Sequence, residues 1–243
     1  LGIGYEALRA VNPKLIFASV SAYGQTGPWR DKPGVDGIVQ AVSGLMSNIG
    51  DENSPPMKVL VPAVDMVTGF VTTSTVLAAL RVVEATGQGQ HLDMSLYNSA
   101  IMFQQSAIAS YLSSGQKPDR IGTAAPYSAP NEAYPTKDGW IMIAAYHEDR
   151  WLALCKLLGK SELATHEDFA TIPLRVKNRK KLMTELTVLL STKTSAQWQE
   201  LMEAQDIICG PIAEYDTVME SPQLAHNGLI VDTFNSIAGN VRM

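Results

Sequence analysis

DMVTGFVTTSTVLAALRVVEATGQGQHLDMSL, residues 65–96, is the stretch on which the fold turns. From Asp65, apolar residues at Met66, Phe70, Leu77 and Leu80 recur near the helical period, and Thr86-Gly87 closes the run with the residue best suited to a left-handed cap. His91-Leu92-Asp93-Met94-Ser95-Leu96 then alternates as a strand does, and a helix is predicted over 97–113. Upstream, Tyr5 to Val11 has the spacing of a helix end, broken by Asn12-Pro13. Leu15 to Val20 reads as a buried strand, the Gly- and Pro-rich stretch 21–34 as a loop, and Ile38 to Met46 as helical again. Strand, helix, strand, helix in this order predicts a layered α/β domain.

The pattern breaks across 115–135, where Pro118, Pro126, Pro130 and Pro135 mark irregular backbone, so a boundary is expected near residue 120. Lys137-Asp138-Gly139 is a hairpin signal before the apolar run Trp140 to Ala144, and Asp149 begins a mainly helical region reaching about Ala204. The chain opens at Leu1 as if inside a folded unit and closes on Asn240-Val241-Arg242-Met243 as if inside a strand. Both ends are therefore expected to continue in the natural protein.

The 24 Asp and Glu against 19 Lys and Arg argue against a nucleic-acid binder, which needs a basic face to displace counterions. Two cysteines, Cys155 and Cys209, make neither a disulfide framework nor a CxxC motif, so a reducing cytoplasm is expected. No uninterrupted apolar run approaches the roughly 18 residues of a bilayer span, and no membrane partner is expected.

Among single residues, Asp65 stands out. An Asp ahead of a helical pattern is a favoured N-cap, and a helix N-terminus would hold such a carboxylate ionised and aimed, as a carboxylate nucleophile requires. Gly87-Gln88-Gly89 follows a helix and lacks a third glycine, so it reads as cap and turn, not as a dinucleotide loop. His91, His147, His166 and His226 have no metal-ligand spacing, and no metal is expected. Neither a GxSxG elbow nor a cysteine with a histidine close in sequence is present. Arg175, Lys177, Arg179, Lys180 and Lys181 read as a solvated basic face.

Several segments, in order and over essentially the whole chain, resemble the class III CoA-transferase family, the CaiB/BaiF group. They are Asn12-Pro13-Lys14-Leu15-Ile16 with Ser21-Ala22-Tyr23-Gly24-Gln25-Thr26-Gly27-Pro28, Gly34-Val35-Asp36 through Ser43-Gly44-Leu45-Met46, and Asp65 through Thr86-Gly87-Gln88-Gly89-Gln90. Ala125-Pro126-Tyr127, Thr136-Lys137-Asp138-Gly139, Asn178-Arg179 and Cys209-Gly210-Pro211 continue the likeness.

The resemblance implies an α/β fold made of the second half of a Rossmann-like large domain plus a smaller α+β domain. Residues 1–120 would belong to the large domain and linker helix, 121–212 to the small domain, and 213–243 to a segment returning toward the large domain. It implies transfer of coenzyme A from an acyl-CoA to a small carboxylic acid, with Asp65 as nucleophile passing through an anhydride and an aspartyl-CoA thioester. Lys32, Gly34, Val35 and Asp36 match the loop that touches CoA in the family. Family members form interlocked homodimers. The stretch matching the family's glycine loop, 122–130, has no glycine run here. An α-methylacyl-CoA racemase is the neighbouring enzyme reading, but its proton-exchanging His falls at Val35. An inert, self-associating piece is the reading outside enzymology. The family's N-terminal part supplies many CoA contacts, so the 243 residues alone are expected to bind CoA poorly.

Overall fold

The computed structural model describes residues 2–242. The chain groups into two units, 1–122 and 123–243. The first unit runs α1 (Tyr5–Val11), β1 (Phe17–Ser21), α2 (Asp36–Val42), α3 (Ala63–Thr86), β2 (His91–Ser95), α4 (Leu96–Phe103) and α5 (Gln105–Ser114). β1 and β2 pair in parallel, from Phe17 opposite His91 to Ser21 opposite Ser95. A parallel pair needs a crossover, and the stretch carrying α2 and α3 supplies it. Gly87 ends α3 at φ 71°, its N–H donating to Val83 O. Gly89 N–H then donates to Pro13 O at 2.8 Å, and a Cβ on Gly89 would collide with the Leu15 carbonyl. The Gly-Gln-Gly segment is thus a cap and a close-approach turn, as its context predicts.

The helix predicted over 97–113 is two helices. At Gln104 (φ −96°, ψ 15°) the side-chain amide donates to Ala100 O and Ser43 O, while the backbone N–H turns to Ile101 O. The side chain thus takes the carbonyl that helix propagation needed, and the axis breaks there.

α3 corrects the reading of apolar length. Its 24 residues contain a window of mean hydropathy 1.6, long and apolar enough by length and composition to cross a bilayer. The hydroxyl residues that interrupt the run do not make it polar. Thr68, Thr73, Ser74 and Thr75 each return the hydroxyl to the carbonyl four residues back. The core of this unit is small: Val39, Leu45, Val64 and Ala100, with Ala22, Ile49, Leu96 and Tyr97 against it.

The second unit runs β3 (Asn131–Pro135), β4 (Trp140–Ala144), α6 (Glu148–Leu157), α7 (Ile172–Lys177), α8 (Arg179–Leu190), α9 (Ser195–Glu203), β5 (Ile208–Pro211), α10 (Tyr215–Met219), α11 (Pro222–His226), β6 (Asp232–Asn235) and β7 (Gly239–Arg242). β3, β4 and β5 form an antiparallel sheet in that order, with the β3–β4 hairpin closing where Lys137-Asp138-Gly139 signals it. β6 and β7 make a separate hairpin. α8 buries Leu182, Leu186 and Leu190, one per turn, against Tyr134, Ile141, Trp151, Phe169 and Trp198. A capping box between Thr194 and Gln197 starts α9.

The basic run is not a solvated face throughout. Arg175 is fully buried. Its guanidinium donates to the carbonyls of Ala129, Phe169 and Tyr146 and to the Glu148 carboxylate. Arg179 binds the buried Glu132 carboxylate and the carbonyls of Ala125 and Ser128, and Glu132 also accepts from Tyr134. These two arginines clamp the irregular segment 125–130 from inside. Several of their partners are backbone oxygens roughly 30 to 55 residues away in sequence, which charge spacing cannot reveal.

Candidate active site

Asp65 lies in the third position of α3, not at its cap, because the helix begins at Ala63 with Pro62 before it. The cap comes from Asp36. One Asp36 carboxylate oxygen accepts from Val64 N–H at 2.9 Å and Asp65 N–H at 3.3 Å, and the other accepts from the Gln40 side chain at 2.6 Å. Two unpaired donors of the helix start are thereby met by a side chain 28 and 29 residues away. Gln40 is fully buried and also bonds both polar groups of Val59, accepting from its N–H at 2.9 Å and donating to its carbonyl at 3.3 Å. This lashes the approach to α3 against α2. Sequence reasoning missed Gln40. Its signal was present, an amide four residues after an acid on one helix face.

Asp65 itself is exposed, and among the described residues no hydrogen bond to its carboxylate is found. Its pKa is raised, first by partial burial and then by the Asp36 charge beside it. This direction runs against the lowering that a helix terminus gives a first-turn carboxylate. The N–H groups that would cause that lowering are given to Asp36. The result is an exposed carboxylate, unbonded among the described residues, whose pKa lies above that of an ordinary aspartate.

The loop before α2 is held by aromatic packing. Tyr23, Trp29 and Tyr97 meet ring to ring at 5.3 to 6.1 Å, and Lys32 Nζ stands 4.6 Å from the Trp29 centroid. Cation–π contact fixes the ammonium while leaving its N–H donors outward, and Lys32 is exposed. At Gly34 a Cβ would sit 2.7 Å from Ala22 Cβ, so this position requires glycine for packing alone. Val35 caps α2 from the position before it and is 67% exposed, and it carries no group that exchanges a proton. The structure therefore joins Asp36 to the turn bearing Asp65, and sets Lys32 on a rigid aromatic cluster within the same unit.

Other candidates fall away by chemistry. Burial pushes the Cys155 thiol up to about 12 and that of Cys209 to about 11, so neither is a thiolate at neutral pH. His91 Nε2 shares a 2.8 Å hydrogen bond with Ser19 Oγ and stacks on Tyr5. No group of three potential metal ligands occurs among the described residues.

Comparison with known proteins places this geometry. The sequence profile of CoA-transferase family III matches residues 1–243. The chain is 37% identical over 238 residues to a succinate–glutarate CoA-transferase of Agrobacterium fabrum, covering 95% of this chain and 58% of that protein. It is 33% identical over 241 residues to the human succinyl-CoA:glutarate CoA-transferase, covering 99% and 55%. The chain thus spans little more than half the length of these curated relatives. A crystal structure of a CAIB/BAIF family protein from Brucella suis superposes with a TM-score of 0.83 at 31% identity, over 99% of this chain and 66% of that one. Rv3272 of Mycobacterium tuberculosis does so with a TM-score of 0.88 at 29% identity, over 100% and 64%. The mixed α/β architecture is that of the CaiB/BaiF structures, and the chain belongs to CoA-transferase family III.

Proposed function

We propose that the protein to which this chain belongs transfers coenzyme A between an acyl-CoA and a carboxylic acid, with Asp65 as the nucleophile. The observation that carries this is the Asp36–Asp65 arrangement. One carboxylate is consumed as a cap so that its neighbour, three residues inside the helix, stays unbonded and more basic. Carboxylate nucleophilicity follows basicity, and an acyl group moved onto oxygen as an anhydride keeps the activation that hydrolysis would lose.

In the first step an Asp65 oxygen bonds to the thioester carbonyl carbon, the C–S bond breaks and CoA leaves as thiolate. The thiolate then attacks the Asp65 carbonyl of the anhydride, releasing the donor acid as carboxylate and leaving an aspartyl-CoA thioester. The incoming acid repeats the two steps in reverse order and departs as its CoA ester. Each oxyanion needs donors. The Val64 and Asp65 N–H groups are engaged by Asp36, so those donors come from elsewhere in the protein. Lys32, fixed on Trp29, is suited to meet a phosphate of the substrate as a point charge. In this reading the first unit is the second half of a Rossmann-like domain, and the active protein is a homodimer. Two free cysteines fit work in a reducing cytoplasm. Racemisation is disfavoured by the apolar Val35.

The test uses the full-length natural protein with succinyl-CoA as donor and glutarate as first acceptor, the acids in two relatives' names. Hydroxylamine added after the donor is expected to leave a hydroxamate on Asp65, read by peptide mass spectrometry, and Asp65→Ala to abolish transfer. Undiminished transfer in Asp65→Ala would overturn the assignment.

A further inference from the structure

The first unit contains an open cleft of about 480 Å³ whose lining does not include Asp65, Asp36 or Lys32. That volume is in the range of small-molecule sites. Part of the lining is polar and tightly oriented. Gln104 is buried, and its amide nitrogen is fixed toward Ala100 O and Ser43 O, which can only accept. Its oxygen therefore faces Asn48 and takes a hydrogen from the Asn48 amide nitrogen, which also donates to Gly44 O. This leaves Asn48 Oδ1 as a buried acceptor without a donor. The polar lining is one hydrogen short, a need that an ordered water can meet and an ionised carboxylate cannot, so it marks this end of the cleft as the wet one.

The rest of the lining divides in two. Ala107, Ile108 and Pro118 give an apolar strip, and Lys117 and Arg120 give positive charge. Arg120 uses Nε and Nη2 on the carbonyls of Asp51 and Ser54, which hold the guanidinium in place without neutralising it. Among the described residues neither cation is paired with a carboxylate. A half-buried strip of carbon with two cations beside it that pair with no carboxylate among the described residues matches an amphiphilic anion, not a bare inorganic one, which would gain nothing from the carbon.

We propose that this cleft is a binding site for a small organic acid, its carboxylate met by Lys117 and Arg120 and its chain laid along Ala107, Ile108 and Pro118. The proposal stands on the cleft alone and holds whether or not Asp65 is the nucleophile.

The test is titration of the ¹⁵N-labelled chain with hexanoate, hexan-1-ol and inorganic phosphate, followed by amide chemical shifts. Saturable shifts with hexanoate, centred on residues 43–48 and 104–120, are expected, with far weaker response to hexanol and phosphate. Lys117→Gln removes an exposed, unpaired cation and is expected to weaken hexanoate by about tenfold, the loss of one charge-assisted contact. Ala107→Phe fills the cleft and is expected to abolish the response. Absence of saturable hexanoate binding, hexanoate shifts untouched by Lys117→Gln, or phosphate binding as tight as hexanoate would each overturn the proposal. If Ala107→Phe fails to fold, Lys117→Gln and the three-ligand comparison decide alone.

Discussion

Asp138 and Asp168 of the second unit and Asp65 of the first meet opposite surroundings. In the second unit Asp138 accepts from the Ser195 backbone and from the hydroxyls of Ser195 and Thr136, and Asp168 pairs with Lys181. The pKa of each is lowered, that of Asp138 chiefly by the Ser195 N–H and that of Asp168 chiefly by Lys181. In the first unit Asp65 accepts no hydrogen bond among the described residues, lies beside another acid, and its pKa is raised. Acids bonded to satisfaction tie structure together, whereas an acid left wanting retains reactivity. The cores repeat the contrast. The second unit closes around Trp151, Phe169 and Trp198 with three successive turns of α8, whereas the first buries few large side chains and relies on Gln40 and Asp36 to hold α3. The proposed nucleophile thus sits on the polar-braced unit, and the larger apolar core belongs to the other.

Removing a clamp from the second unit should give the largest stability effect. Arg175→Met strands the carbonyls of Ala129, Phe169 and Tyr146 in the interior, at a cost of about 3 kcal/mol. Urea unfolding followed by tryptophan fluorescence reads it well, because Trp140, Trp151 and Trp198 all lie in this unit and Trp29→Phe silences the other. A midpoint unchanged from wild type would mean that the buried guanidinium is dispensable and that the basic run is the plain solvated face its spacing suggests.

A smaller effect is expected in the first unit from Asp36→Asn. The amide keeps one acceptor but turns a donor against either Gln40 Nε2 or the α3 N–H groups, which loosens the cap by about 1 kcal/mol. Hydrogen exchange at Val64 and Asp65 should then quicken by about fivefold while the second unit's amides are unmoved. Equal quickening in both units would erase the distinction between a locally braced site and a globally packed one.

Legibility followed the range of the interactions. The Gly87 cap and the Lys137-Asp138-Gly139 hairpin rest on local backbone chemistry and were readable, as were the strands before and after the long helix, whose parallel pairing is a finding of the structure. The break at Gln104 was not, since it depends on a buried amide reaching Ser43, 61 residues away. Asp65 was legible as a residue of interest through family resemblance and a helix start. Its cap was not, because the capping carboxylate belongs to another helix. The same cause hid the burial of Arg175 and Arg179. Apolar length in α3 was masked by threonines and a serine that hide their hydroxyls on their own helix.

The smallest predicted effect tests the raised pKa of Asp65 directly. Burial first, then the Asp36 charge, makes the folded protein hold the Asp65 proton more tightly than the unfolded chain, whose value is near the ordinary 3.8. Between 3.8 and the higher folded value, the native state carries a proton that the unfolded state has lost. Stability therefore falls as pH rises through that window and stays lower above it, whereas below it both states are protonated and the penalty vanishes. Asp65→Asn carries no charge at any pH. It should melt at a higher temperature than wild type at neutral pH, with the difference closing as pH drops through the carboxylate range. In an Asp36→Asn background that difference should shrink, since one of its two causes is gone. Scanning calorimetry of the four proteins across that range gives the answer. A wild type that outlasts Asp65→Asn at neutral pH would mean that attraction to the helix start outweighs both causes, making Asp65 an ordinary first-turn acid.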